Sequence, residues 1–549
     1  MKTVLLLFAV LYPLSGFAQI APEWMSFLTG PGNVPESAEK VIYDNSGNAY
    51  IIGYGYFTPG GQGQDFITVK CNTSGVAEWT AIYNGQQNGT DRPFGVCVDN
   101  SGNVYVTGTS DWSSVASKII TLKYSAAGVL QWICVFDSAG TSVGEAVDIC
   151  ADDNGNVYAT GRLSPLNNGY YDLATIKMDA DGNIIDSHYF GQVTTASDDG
   201  TNIIADNNGN IFSAGQSFSG LTNGEEVVIL KYNSSLDTVW TIHVNGTDNS
   251  LNEFAIDLDL DDTGNLHALC RIQNTNSGTD YATLKINSDG QILWRTEFNE
   301  NNAQDIPEDM VLDESGNVFV TGRTRRASGG GYNDFAVIKY NNAGVQQWVS
   351  YHDGPKNLDD DPLAINLDAN GNVYVSGESN RTGSNFVFTV VKFNSSGNFE
   401  WEYAYDINES SRAFAMWIDD VGNVYSAGDG EGTNGNQDLM AVKLVMATDV
   451  NDDELLIKRF SLEQNYPNPF NPATTIRFIV GDAYYASPAW VTLRVYDVLG
   501  NEIATLVDEY KSPGNYESVF SSDLLPSGVY FYKLQSGNFI ESKKMILLK

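Results

Sequence analysis

Positive charge is scarce in this 549-residue chain: 30 Lys and Arg stand against 68 Asp and Glu, a formal net charge of −38. Nucleic acid demands a basic footprint, and an anionic lipid surface demands a polybasic patch, so the balance argues against both. Cations, basic proteins and sugars are left as partners. Histidine is also rare. The four histidines (188, 243, 267, 352) stand in different parts of the chain, and Gly-x-Ser-x-Gly, His-Glu-x-x-His and P-loop motifs are all missing. The five cysteines (71, 97, 134, 150, 270) are odd in number and scattered, with neither Cys-x-x-Cys nor zinc spacing. They read as small buried hydrophobes. No metal-ligand set and no cofactor site is assigned from these residues. Proline is sparse, at 16 residues, while 42% of the chain is hydrophobic, which points to a globular protein. Long apolar runs are missing too. Val4 to Leu11 is too short to span a bilayer. With Lys2 before it and Gly16-Phe-Ala18 after it, it reads as a signal peptide over residues 1–18. The mature protein is expected to be secreted or held at the outer cell surface, and not to be an integral membrane protein.

What the chain does have is a repeat. A turn-strand unit such as Asp99-Asn-Ser-Gly-Asn-Val-Tyr-Val-Thr-Gly108 begins at Asp44, Asp99, Asp152, Asp206, Asp261, Asp313, Asp368 and Asp419. The spacings are 55, 53, 54, 55, 52, 55 and 51 residues, and self-similarity at a nearly fixed period marks a repeat architecture. Each copy carries a β-prone run before the turn (A), the turn's own strand (B), a run ending in lysine (C) and a tryptophan strand (D). Four strands per unit, eight times, predicts an all-β, eight-bladed β-propeller over residues 20–446. The last unit stops at Lys443 without a D strand, and the first Trp, Trp24, precedes the first turn. The N-terminal strand is therefore expected to close the last blade, hiding an open edge.

The pattern D-x-x-G-N-V-Y-V-T-G resembles the SBBP family of bacterial β-propeller repeats. The fifth copy departs from it, with Cys270 where the closing glycine is expected. After an acidic linker at 447–457 the composition changes. From Lys458 to Lys549 there are nine basic and nine acidic residues, so all the net acidity precedes this segment. Its short alternating strands suggest an Ig-like β-sandwich. Asn465-Tyr-Pro-Asn-Pro-Phe-Asn-Pro472, Val495-Tyr-Asp497, Leu499-Gly500, Pro526-Ser-Gly-Val-Tyr530 and Lys543-Lys-Met-Ile-Leu-Leu-Lys549 resemble the type A C-terminal sorting domain of type IX secretion cargo. The loop from Gly481 to Ala489 is longer than that pattern. The resemblance implies Sec export, engagement of the type IX machinery and passage across the outer membrane. It carries the sorting motif onto Asn468, Pro469, Phe470, Asn471, Pro472, Gly528 and Lys549.

The turn aspartates and the C-strand lysines (70, 123, 177, 231, 285, 339, 392, 443) recur in every copy. Repetition of that kind suits a structural unit, the Asp bonding its own turn and the Lys pairing with carboxylates or carbonyls. The turn superficially resembles part of a calcium loop but offers too few oxygens. Tryptophan on D (24, 79, 132, 240, 294, 348, 401) is expected to pack blade on blade, with Asp186 the exception. The spacing Gly-x-x-x-Trp is similar to that of quinoprotein dehydrogenases, but their vicinal cysteines and haem-attachment motif are absent.

Eight residues before the turn stand Glu36, Asp91, Asp198, Glu253, Asp305 and Asp360. They are expected at the upper face, around the mouth of the axial channel. One reading makes each the cap of its own loop. The other makes the ring a site for a divalent cation such as calcium, or for a basic ligand. Asp148, Asp257 and Asp309, four residues before the turn, are placed to line the channel. The B–C connections vary most between copies and open on the same face. Tyr56, Trp112, Tyr171, Arg325 and Tyr332 on them suit a glycan or a protein partner. The leading expectation is thus an exported binding module. An extracellular polysaccharide hydrolase with carboxylates at the axial mouth, or a structural surface protein, are the alternatives. Nothing selects a catalytic pair from so many carboxylates.

Overall fold

The computed structural model describes residues 20–28, 35–57, 63–113, 116–136, 143–164, 170–191, 196–206, 208–218, 224–248, 251–275, 278–300, 302–326, 331–381, 383, 385–405, 410–431, 436–446, 461–480, 489–498, 500–511, 514–522, 525–536 and 539–549. The signal segment and the 447–457 linker lie outside these residues. Ile20–Val445 form one compact unit and the described residues after them belong to another. Among the described residues every regular element is a strand, and no helix is long and apolar enough to cross a membrane.

In the first unit the strands form eight four-stranded antiparallel sheets, a propeller-like arrangement. Seven follow chain order, as in Asp91–Val98, Val104–Ser113, Ala116–Tyr124 and Leu130–Phe136. In the eighth, Arg412–Ile418, Val424–Glu431 and Gln437–Met446 are completed by Ile20–Leu28 from the other end of the chain. Lys443 Nζ meets Glu23 Oε2 at 2.6 Å across that join. Each A strand packs beside the A strands of neighbouring sheets, and Glu36–Tyr43 touches both Asp91–Val98 and Arg412–Ile418. The row of A strands therefore closes on itself.

Two features of the repeat set this geometry. Each A strand carries a β-bulge, between Pro93 and Gly95 in the second sheet and at the equivalent place in the others. The bulge bends the innermost strand. Opposite it stands the closing glycine of B, where a Cβ on Gly108 would lie 2.1 Å from the Arg92 carbonyl oxygen. The second feature is the tryptophan. Trp79 Nε1 donates to the Ala126 carbonyl in the C–D turn of the next sheet at 3.1 Å, and Trp132, Trp240 and Trp294 repeat the bond. The rings of Trp24, Trp79, Trp132, Trp240, Trp294 and Trp348 lie over the turn glycine of the next sheet, Trp79 over Gly128 and Trp24 over Gly75. Trp24 thus carries the contact from the last sheet to the first.

The second unit has one sheet of Ser461–Leu462, Ala473–Val480 and Gly514–Ser521. Another holds Glu502–Lys511, Ala489–Tyr496, Gly528–Ser536 and Phe539–Leu547 in that order. A core of Phe470, Ile476, Phe478, Val491, Leu493, Val495, Phe520, Tyr532, Leu534, Met545 and Leu547 joins the two sheets.

Candidate functional site

The strand registers sort the connections of the first unit into two ends. A–B and C–D turns share one end, B–C and D–A connections the other. At the turn end the chemistry is consumed internally. Asp99 Oδ1 accepts the backbone N–H groups of Ser101 and Asn103, each at 2.9 Å. Its Oδ2 accepts from Asn103 Nδ2 at 2.8 Å and Tyr105 Oη at 3.0 Å. Burial pushes the Asp99 carboxyl up, but these bonds outweigh it and hold the group below its ordinary value. The C-strand lysines are likewise engaged: Lys123, Lys177 and Lys231 donate to the Ala180, Ser234 and Ser288 carbonyls of the next sheet. Lys70 and Lys392 meet Glu78 and Glu400.

The other end differs. Glu36, Asp91, Asp305 and Asp360 are the first residues of their A strands, and Asp198 and Glu253 directly precede theirs. All six are buried, none more than 2% exposed. They hold the D–A connections by accepting backbone N–H groups: Gly85 to Asp91 at 2.7 Å, Gly246 to Glu253 at 2.6 Å, Glu300 to Asp305 at 2.7 Å and Gly354 to Asp360 at 2.7 Å. Asp198 accepts from Phe218 N–H at 3.1 Å. Burial pushes Asp91, Asp198 and Asp360 up to about 6, and Glu253 and Asp305 to about 7.

Along the innermost strands, Lys40, Asp148, Asn202, Asp257 and Asp309 stand directly after the bulged residue. Lys40 Nζ meets Asp148 Oδ1 at 2.7 Å. Asp257 and Asp309 share a hydrogen bond, and burial raises both carboxyls, with mutual repulsion adding to the rise in Asp257.

The B–C residues divide into engaged and open. Arg323 pairs with Asp361 at 3.0 Å, Arg326 with Asp334 at 2.5 Å, and Arg381 with Glu402. Arg162 lies over the Tyr171 ring, and Trp112 is half-buried against the core. Tyr56, Tyr170, Tyr332 and Arg325 are exposed. A competing exposed apolar row runs along the outer D strands: Leu130, Ile185, Val239, Leu293 and Phe399.

In the second unit the sorting-motif residues lie together. Phe470 is buried, its N–H donates to the Ile546 carbonyl at 2.9 Å, and Leu548 N–H donates back to the Phe470 carbonyl at 3.0 Å. Asn468 Oδ1 accepts Ile546 N–H at 2.9 Å, and Lys549 N–H donates to Ser527 Oγ beside Gly528. The Asn465–Pro472 segment is thus stitched to the last strand.

One acidic set escaped the sequence reading. Asp65, Asp172, Glu226, Asp280, Asp334 and Asp438 stand five residues before the C-strand lysine, at or near the start of C. B–C connections of unequal length hide them from a count based on the turn aspartate. A count back from the lysine finds them.

Residues 464–548 match the family described as a secretion system C-terminal sorting domain, and residues 78–111 and 293–325 match the SBBP β-propeller repeat. The first match makes this a secreted or outer-surface protein. No curated protein matches the chain. Among solved structures it is similar to Sqt1 from Chaetomium thermophilum, at 9% identity over 75% of this chain and 96% of that one, with a TM-score of 0.46. It is also similar to PorZ, a surface component of the type IX secretion system of Porphyromonas gingivalis, at 11% identity over 93% and 74% with a TM-score of 0.29. A polysaccharide lyase of family PL25, an ulvan lyase, aligns at 12% identity over 74% and 93% with a TM-score of 0.40. All three TM-scores lie under 0.5, and no function is carried over from them.

Proposed function

We propose that the chain is an exported binding module. In this reading residues 20–446 are a closed eight-bladed propeller, and residues 458–549 are an Ig-like sorting domain addressed to the type IX machinery. The B–C end is the working end. The observation that carries this is the contrast between the two ends. At the turn end the polar groups described above are satisfied within the repeat or by the next sheet. At the B–C end Tyr56, Tyr170, Tyr332 and Arg325 are exposed on connections that differ from sheet to sheet. Aromatic rings beside a guanidinium suit stacking on sugar faces and hydrogen bonding to hydroxyl or carboxylate groups, so an extracellular glycan is the favoured ligand. Hydrolysis is less well supported. A glycosidase needs two carboxyl groups reaching the substrate about 5–9.5 Å apart, and the six A-strand carboxylates are buried. Glycan-array binding of the full chain tests the reading. Binding that drops at least tenfold in a Y56A/R325A/Y332A variant is expected. An array without a hit, or a hit indifferent to that variant, overturns it.

A further inference from the structure

The buried A-strand carboxylates have partners, and the partners follow a rule. The backbone N–H of Asp91 donates to the Gln64 carbonyl at 2.6 Å, that of Asp198 to Tyr171 at 2.8 Å, that of Glu253 to Glu225 at 3.0 Å and that of Ser411 to Phe386 at 2.9 Å. Each bond ties the head of an A strand to the residue just before a second position on the preceding sheet. Those second positions are Asp65, Asp172, Glu226 and Val387. The repeat extends the pairing to eight junctions. Six hold two acids: Asp65–Asp91, Asp172–Asp198, Glu226–Glu253, Asp280–Asp305, Asp334–Asp360 and Asp438–Glu36. Two hold none: Lys118–Gly144 and Val387–Ser411.

Both acids are present or both are missing. Loop capping needs only the A-strand member and gives no reason for the second acid to track the first. Two carboxylates buried side by side repel in a medium of low dielectric, so keeping both calls for a proton or a cation between them. At one of the two junctions without acids, the C-strand position is a lysine, Lys118, only 2% exposed.

Local geometry brings the acids of a junction together. At Gly191 a Cβ would lie 2.5 Å from Asp172 Oδ1 and 3.4 Å from Asp198 Oδ2, so both acids crowd the same backbone position. At the Asp334–Asp360 junction a third acid, Asp353, joins from the D–A connection, and one oxygen from each lies within 4.8 Å of the others. Asp334 is fully buried. Arg326 Nε holds its Oδ2 at 2.5 Å, while Asp334 Oδ1 and Asp353 Oδ1 find no hydrogen-bond partner.

We propose that the paired-acid junctions are divalent-cation sites that fasten neighbouring sheets, with Asp334, Asp353 and Asp360 the most complete. An all-oxygen donor set of carboxylates is the chemistry of Ca²⁺. This inference does not depend on the B–C end binding a glycan.

The test uses the full chain, stripped with EDTA and dialysed against CaCl₂ at pH 7.5. Bound calcium is read by elemental analysis and thermal unfolding is followed in parallel. More than one equivalent of Ca²⁺ per chain is expected, with a Tm that rises with calcium concentration, since a ligand of the folded state stabilises it by mass action. D334N/D360N is expected to lose one equivalent and D172N/D198N one more. Wild-type protein that retains no calcium and shows no Tm shift overturns the proposal. So does calcium binding that is unchanged in both variants. Should a variant fail to fold, terbium luminescence of the wild type, excited through its tryptophans and displaced by Ca²⁺, decides in its place: displacement supports the sites, and no signal overturns them.

Discussion

At the residue scale the repeat corrects itself. Asp186 stands where the other D strands carry tryptophan. In the next sheet the C–D turn that would receive that ring carries Leu236 in place of glycine, at φ +54°. A non-glycine residue there costs about 1–2 kcal/mol. Leu236 is nonetheless buried, packed with Ile203, Ile211 and Tyr232, and the leucine fills the space the missing ring leaves. Leu236→Gly relieves the backbone and opens a cavity. Because a buried leucine is worth more than the strain, a net loss of about 1–2 kcal/mol is expected in urea unfolding. Unchanged stability would mean that the side chain fills nothing. The turn aspartate makes a second case. Asp99→Ala strands two backbone N–H groups, one amide and one phenol, and is expected to cost about 2 kcal/mol. Tyr105→Phe, which removes one of the four bonds, is expected to cost about 1 kcal/mol.

At the scale of the element, the A strand concentrates acid where water is scarce. Asp257 and Asp309 face one another across neighbouring bulges, with Asp259 and Lys40 the other charges acting on the pair. Burial also pushes Glu308, beside Arg323, Asp361 and Arg271, up to about 7. Each folded-state value lies above its unfolded value. The stability these groups contribute is therefore fully present below about pH 4 and is lost as pH rises through about 7. Asp257→Asn removes one of the opposed charges. It is expected to stabilise the chain by about 1 kcal/mol at pH 8 and to change little at pH 4 in thermal melts. Equal effects at both pH values would refute the coupling. Elements of this kind were legible in the sequence because the period, the Gly-Asn turn, the lysine and the tryptophan all recur at fixed offsets. The order of four strands in each unit and the N-terminal strand completing the eighth sheet follow from that ruler; the bulge beside Pro93, Pro307 or Pro362 does not, since the period carries no sign of an extra residue in one strand. Burial of Glu36, Asp91, Asp198, Glu253, Asp305 and Asp360 was not legible, since an acid before a strand reads as readily as a solvated loop residue. The arginine pairings of Arg323, Arg326 and Arg381 escaped for a different reason: their partners lie on other strands or other sheets, at sequence distances no local pattern encodes.

At the scale of the whole molecule, the address lies in the second unit and the proposed binding surface in the first. The sorting motif is part of a packed structure, with Phe470 in the core and bonded to the last strand. A chain ending at residue 457 is expected to fold its first unit yet remain in the periplasm, as read by immunoblot of periplasm and medium. Wild-type amounts in the medium would contradict the assignment. The first unit has one end of self-satisfied turns and one of exposed, variable connections. Which of these surfaces meets a ligand is the question on which the account turns. Hydroxyl-radical footprinting of the full chain, with and without the strongest ligand from the glycan array, answers it most directly. Protection of Tyr56, Tyr170 and Tyr332 is expected. Protection confined to the outer row of Leu130, Ile185, Val239, Leu293 and Phe399, or to the turn end at Val421, would contradict it.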